Sequence, residues 1–238
     1  MNLVILFEGD FTNETHAVLK GRRAKHIIEV HRAEKGKVLK AGLLNSRMGT
    51  GLVTEISRDS VELETELSAP PPQAPPITLV AALPRPKSFR KVLHAAVSMG
   101  VKEIYFTGSW KVEKSYWDSP VIGEGEVFNE SVLALEQSRD TVMPRIFFRK
   151  RFKPFLEDEV PAIIEGADAF LAHPEAEEFC PCGIKGKTLL AVGPEGGFTD
   201  YETNLFIEQG FQPRSLGERI LRTEFAVTAL LSRLMFPA

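Results

Sequence analysis

Two stretches of the chain combine residue types and spacings that could do chemistry. The first is Ala191-Val192-Gly193-Pro194-Glu195-Gly196-Gly197-Phe198-Thr199-Asp200-Tyr201-Glu202. An apolar run, Thr188 to Val192, has the length of a buried strand. Glycines and a proline then break it, and Thr199-Asp200-Tyr201-Glu202 reads as a capping box that starts a helix. The unit is therefore strand, glycine loop, helix. In open α/β sheets ligands bind in such crevices, beyond the carboxyl ends of strands. Glycines there leave backbone N–H and C=O groups bare for a ligand. The spacing is not G-x-G-x-x-G, and no lysine follows as in a P-loop, which disfavours a dinucleotide or nucleoside-triphosphate site. The second stretch is Ser215-Leu216-Gly217-Glu218-Arg219-Ile220-Leu221-Arg222-Thr223-Glu224. It holds a glycine loop, two arginines and a threonine placed to cap an apolar terminal helix.

The elements that must position these stretches follow from hydrophobic rhythm. Residues 1 to about 68 read as mostly β, with a strand at Leu3 to Phe7. A helical turn or two lies within His16 to Val30, with Ala24, Ile27, Ile28 and Val30 inward. Short segments follow at 37–41, 51–56 and 60–65, the last alternating apolar and polar as a half-buried strand does. Short strands with Gly and Asn turns suggest a small barrel. Ala69-Pro70-Pro71-Pro72-Gln73-Ala74-Pro75-Pro76 forbids helix and sheet interior and marks the domain boundary, giving domains 1–72 and 73–238.

After the prolines, strands and helices alternate, the pattern of a parallel sheet. Strands are expected at 77–83, 104–106, 145–148, 169–172, 188–192 and 212–216. Helices are expected at 89–99, 127–138, 152–158 and 200–209. A last helix over 224–235 buries Phe225, Val227, Leu230, Leu231 and Leu234.

Composition sets the class. The chain has 238 residues, 43% hydrophobic and 26% charged, as in ordinary globular proteins. No apolar run is long enough to span a membrane, and the N-terminus lacks a signal-peptide pattern, so a cytoplasmic protein without a membrane partner is expected. Cys180 and Cys182, one residue apart, form no disulfide framework. With His173 they match no standard zinc spacing, so no metal site is expected. The net charge of -3 argues against a uniformly basic nucleic-acid binder. Basic residues are nonetheless concentrated: nine stand between Lys20 and Arg47 against Glu29 and Glu34, and six between Arg139 and Lys153 against Asp140. Such segregation can steer a polyanion to one face, although patches of this kind also serve simply as solvated surface.

Taken together, G-P-E-G-G and S-L-G-x-R-I-L-R-T-E resemble the signature of the RsmE-type 16S ribosomal RNA uridine-N3 methyltransferases of the SPOUT superfamily. Leu83-Pro84-Arg85, Glu136-Gln137-Ser138-Arg139 and Pro144 support the likeness. The chain departs from that family at Ala95 and Ser98, where the family has lysine and glutamate, and at Phe225, where it has threonine.

The resemblance implies an α/β fold. Its C-terminal SPOUT domain would be trefoil-knotted with a mostly parallel sheet, and a small PUA-like RNA-binding β-barrel would precede it. It implies S-adenosyl-L-methionine held by Leu171, His173, Val192, Gly193, Pro194, Glu195, Gly196, Gly197, Leu216, Gly217, Ile220 and Leu221. It implies RNA contacts at Arg22, Arg23, Lys25, His26, Arg32 and Arg139. His26 has two readings, an RNA ligand or a helix-end histidine packed beside Ile27 and Ile28. The partners implied are small-subunit ribosomal RNA, or the assembled subunit, and a second copy in a homodimer.

Methylating uridine N3 requires loss of its proton, so a cation near O2 or O4 would stabilise the uridinate. Arg222 is the first candidate, the alternative being an arginine that braces Glu195 or a helix end. Glu195 could take the proton or fix an arginine. The uridine must be unpaired or flipped, and Trp110, Tyr116, Trp117 and Phe128 are aromatic candidates for stacking, each with a core or interface reading beside it. Two other functions fit the same residues: a non-catalytic RNA-binding protein of this architecture, and a SPOUT methyltransferase with another RNA target.

Overall fold

The computed structural model describes residues 1–237, and the chain divides into two compact units. The first comprises Met1–Gln73 together with Val132–Met143; the second comprises Ala74–Ser131 and the chain from Pro144 onward.

The first unit is a five-stranded sheet in the order β1-β3-β4-β5-β2. Its strands are β1 (Val4–Leu6), β2 (His16–Lys20), β3 (Val38–Leu43), β4 (Met48–Ile56) and β5 (Ser60–Ala69). All pairings are antiparallel except β1 with β3. Alternation decides which side chains enter the core: along β5, Val61, Leu63 and Thr65 are buried while Glu64 and Glu66 are exposed. They meet Leu6, Leu19, Ala24 and Ile27, the last two from α1 (Gly21–Glu29).

Val132–Met143 is sewn into the same unit by specific bonds. The Asn2 and Leu3 amides donate to the Glu136 carbonyl, and the Thr141 hydroxyl donates to the Ser46 carbonyl. Gly42 is required there, because a Cβ would lie 2.5 Å from the Thr141 methyl.

The helical turns expected within His16 to Val30 are α1, preceded by a strand at His16–Lys20. The strand's residues pair with Ser60–Glu64, and the chain turns into α1 at Gly21, whose φ of 61° suits glycine. One expectation fails here. Val30 is 64% exposed, because it caps the helix and falls beyond its apolar stripe.

The second unit is an all-parallel six-stranded sheet, ordered β11-β9-β10-β6-β7-β8. The strands are β6 (Ile77–Ala82), β7 (Glu103–Thr107), β8 (Arg145–Arg149), β9 (Asp168–Ala172), β10 (Thr188–Val192) and β11 (Gln212–Arg214). Every residue of β6 and β10 is buried, as expected of central parallel strands covered on both faces. The helices are α2 (Pro86–Ser98), α3 (Glu124–Ser138, whose part from Val132 onward belongs to the first unit), α4 (Phe152–Pro154), α5 (Val160–Ile164), α6 (Asp200–Glu208) and α7 (Thr223–Met235). A π-helical turn, Phe155–Glu159, joins α4 to α5, so this helical stretch outruns the expected 152–158. The Phe155, Phe206 and Phe211 side chains fill the core beneath the β9 and β10 side of the sheet.

Two details of α7 also correct the sequence reading. Its N-cap is Arg222 rather than Thr223, which is the buried first residue. Phe225 is 58% exposed, on the face opposite Val227, Leu230, Leu231 and Leu234. Among the described residues no helix is long and apolar enough to cross a membrane, and no group of His, Cys, Asp and Glu side chains could hold a metal ion.

Candidate active site

Strand order brings the chemically suggestive stretches together. β9 lies between β10 and β11, with Leu171 opposite both Ala191 and Pro213. All three strands run the same way, so the segments after Leu171, Val192 and Arg214 leave from one edge of the sheet.

The glycine loop has a fixed shape. The Gly197 amide donates to the Pro194 carbonyl, and Gly197 has φ of 68°. A Cβ on Gly193 would stand 3.1 Å from the Phe198 amide nitrogen, so a side chain there would crowd the loop. The capping box of α6 is present, with Thr199 accepting from the Glu202 amide at 3.3 Å and donating back to Oε2 at 2.9 Å. Glu202 is only 3% exposed. Its other oxygen accepts the Trp110 amide at 2.7 Å, a charge-assisted bond that ties the loop after β7 to α6.

The second loop is held from one side by the segment after β9. The Ser215 amide donates to the Glu178 carbonyl and the Cys180 amide to the Ser215 carbonyl. Arg214 pairs with Glu178, and Arg233 of α7 donates to the Cys180 carbonyl. Gly217 has φ of 109°, a conformation that favours glycine.

A cleft of about 710 Å³ lies in the second unit, lined by Arg85, Lys87, Tyr116, Glu195, Arg222 and Glu224, among others. Glu195 Oε1 accepts the Arg85 backbone amide at 3.0 Å. Lys91 Nζ donates to the buried Glu224 carboxylate at 3.2 Å. Among the described residues Arg222 makes no side-chain hydrogen bond or ion pair. The Glu224 amide bonds that residue's own carboxylate, and with Lys91 keeps it below the usual carboxylate range against the opposing effect of burial. Burial and the Glu113 carboxylate push the Tyr116 hydroxyl above the ordinary phenol range.

The individual site residues fall as follows. Leu171, Val192 and Pro194 are buried, and Gly193, Gly197, Leu216 and Gly217 are half-buried. Glu195 and Gly196 are exposed, as are Ile220 and Leu221. The His173 amide bonds the Arg214 carbonyl, and its ring accepts from the Glu175 amide.

The basic residues singled out for RNA all belong to the first unit. Arg22 forms a two-pronged pair with buried Glu136. Arg23 is used internally, bonded to Asp10 and the Ile5 carbonyl with its guanidinium over the Phe7 ring. Lys25 stands near Glu29 at 3.9 Å on the exposed face of α1. His26 contacts the Met1 ammonium, and burial followed by that charge lowers its pKa. Arg32 and Arg139 are exposed, each with positive φ.

Sequence reasoning missed Lys91 and Lys111, whose Nζ donates to the Gly196 carbonyl, as parts of this region, and read Glu202 only as a cap. The capping box was the one available signal, and it pointed to Glu202 as a cap without showing its second bond.

A family model described as an RNA methyltransferase domain matches residues 71–235. The chain belongs to that family. Among relatives of this RNA methyltransferase, the ribosomal RNA small subunit methyltransferase E of Treponema pallidum is 30% identical over 237 residues, covering 95% of this chain and 88% of that one. The protein of the same name from Mycobacterium tuberculosis is 25% identical and covers 96% of this chain and 90% of its own. Among solved structures, a ribosomal RNA small subunit methyltransferase E from Neisseria gonorrhoeae bound to S-adenosyl methionine has a TM-score of 0.71. It is 21% identical and covers 98% of this chain and 95% of that chain, so the RNA methyltransferase shares its fold.

Proposed function

We propose that this RNA methyltransferase transfers a methyl group from S-adenosyl-L-methionine to N3 of a uridine in 16S ribosomal RNA of the small subunit. The relatives' shared name supports the substrate, and the sulfonium cofactor agrees with the neighbour that contains it. The residues fit such a cofactor: Leu171, Val192 and Pro194 offer buried apolar walls, and Gly193 exposes backbone where a Cβ would be crowded. His173, Glu195, Gly196, Gly197, Leu216, Gly217, Ile220 and Leu221 complete the binding set in this reading. When bound, the cofactor supplies an electrophilic methyl carbon.

The chain's own residues do the rest. Arg222 stabilises the uridinate, as a permanently charged donor whose guanidinium is not spent on another side chain. That unspent guanidinium in the cleft is the observation that carries the reading. Glu195 acts as the anchor of the glycine loop, since its carboxylate is already engaged by the Arg85 amide.

The first unit serves as a PUA-like RNA-binding barrel, with domains at 1–72 and 73–238 apart from 132–143, which pack with the first. Its five-stranded, mostly antiparallel sheet supports this. Exposed Lys25, Arg32 and Arg139 meet RNA phosphate in this reading, while Arg22, Arg23 and His26 hold the framework. The clasp between Ser215 and the Glu178–Cys180 segment supports a SPOUT trefoil knot. Exposed Ile220, Leu221 and Phe225 support a homodimer, and ribosomal RNA as substrate fits a cytoplasmic enzyme.

The test is to map modified nucleotides in small-subunit RNA from a deletion strain, then restore either the wild-type or the Arg222→Ala gene. One uridine should lose its N3 methyl group and regain it only with wild type. In vitro, Arg222→Ala should lower kcat about a hundredfold with cofactor affinity unchanged. Near-wild-type turnover by that variant would remove Arg222 from the chemistry.

A further inference from the structure

Trp110 is 86% exposed, more than any other large hydrophobic residue described in the chain. Its backbone is nonetheless fixed on both sides. Its amide is bonded to the buried Glu202 carboxylate at 2.7 Å, and the next residue, Lys111, donates Nζ to the Gly196 carbonyl at 2.7 Å. The aliphatic stem of Lys111 lies against Gly196, with Cδ 3.0 Å from where a Cβ would stand. A tight turn, with the Val112 amide on the Ser109 carbonyl, closes the segment.

The indole is thus presented to solvent from a rigid mount beside the glycine loop. Glu195, the neighbour of Gly196, lines the catalytic cleft with Arg85, Lys87 and Arg222. A rigid aromatic face next to a cationic cleft matches the two parts of single-stranded nucleic acid: a base to stack and phosphates to attract.

We infer that Trp110 is a stacking platform for an unpaired base of the RNA substrate, adjacent to the nucleotide that enters the cleft. This deepens the reading above and rests on it. Charge decides the occupant: Lys111 and Lys114 follow the ring in sequence, and cations line the neighbouring cleft, which suits an RNA strand better than a second copy of a chain whose net charge is -3.

The experiment uses small ribosomal subunits, or their extracted RNA, from a strain lacking the enzyme, whichever the wild-type protein methylates. Trp110→Ala should raise KM for RNA roughly tenfold or more while kcat and cofactor affinity stay near wild type. Trp110→Tyr should recover most of the loss, since it restores a ring. In Trp117→Phe protein, whose remaining tryptophan is Trp110, substrate RNA should quench the fluorescence, and a strand abasic around the target should not. An unchanged KM in Trp110→Ala, equal quenching by the abasic strand, or conversion of a dimer to a monomer by Trp110→Ala would each overturn the inference. Wild-type protein that methylates no RNA would instead defeat the underlying function.

Discussion

Glu195 Oε1 accepts the Arg85 backbone amide at 3.0 Å, and this bond joins the glycine loop to the N-cap of α2. A carboxylate that accepts an N-cap amide anchors its loop to the helix. Glu195→Gln keeps an acceptor oxygen and should retain most cofactor affinity and turnover. Glu195→Ala should weaken cofactor binding roughly threefold to tenfold, as loss of one hydrogen bond implies. Calorimetry and single-turnover kinetics measure both. Abolished turnover in Glu195→Gln with intact cofactor binding would instead assign the proton to Glu195.

Lys91 and Glu224 form the second tie, between α2 and the first turn of α7, two residues after Arg222. Lys91→Met should cost about 1 kcal/mol of stability, because the lysine end of the pair is largely exposed. It should also lower turnover by displacing Arg222. Combined with Arg222→Ala, it should add little further loss of turnover; full additivity would show that the two act separately.

The same pair predicts a pH dependence. Glu224 has a folded-state pKa below its ordinary 4.5, chiefly through its own backbone amide. Stability from a depressed carboxyl is present above the unfolded value and lost as pH falls through the folded one. The melting difference between wild type and Lys91→Met should therefore be full at neutral pH and shrink in acid below pH 4.5. A difference that grew on acidification would contradict the pairing.

Gly217 and Gly186 make a matched comparison. Gly217 has φ of 109°, whereas a Cβ on Gly186 would meet nothing within 4 Å. Gly217→Ala should strain the second loop by about 1–3 kcal/mol and weaken cofactor binding. Gly186→Ala should leave binding unchanged. Paired calorimetry on the two variants gives the answer.

The two cysteines should behave differently. Burial pushes the Cys180 thiol up to about 11, and its side chain is fully buried, whereas Cys182 is half-buried. At neutral pH an alkylating reagent should modify Cys182 and spare Cys180 until the protein is denatured. Mass spectrometry of peptides labelled before and after denaturation distinguishes them. Fast labelling of Cys180 in the native protein would mean that the segment clasping Ser215 opens readily.

Much of the second unit was legible in the sequence because its strands are wholly apolar runs and its helices carry one-sided stripes. Val80 and Leu190 announce burial on both faces; Val92, Leu93 and Ala96 announce a helix face. The capping box at Thr199 was equally plain, since both of its partners lie within one turn. The first unit was harder to read. Val18 and Leu19 sit close to Ala24 and Ile27, so strand and helix periodicities blur until the turn at Gly21 separates them. The cleft was least legible. Lys91 looks like any solvated helix lysine until Glu224 arrives beside it, and the partner of Glu195 is a backbone amide, which no residue type advertises. Phe225 shows the reverse error: an apolar residue in an apolar helix that faces outward.

The placement of β9 between β10 and β11 governs when the enzyme can first work. Synthesis delivers β9 and β10 before β11, so one flank of β9 stays unpaired until Gln212–Arg214 has been made and has docked beside it. Arg222 arrives later still. A nascent chain that has emerged only as far as Gly197 has its glycine loop but lacks β11, the second loop and Arg222. The candidate site is therefore assembled only when nearly the whole chain has been made, because the order of the strands differs from the order of synthesis.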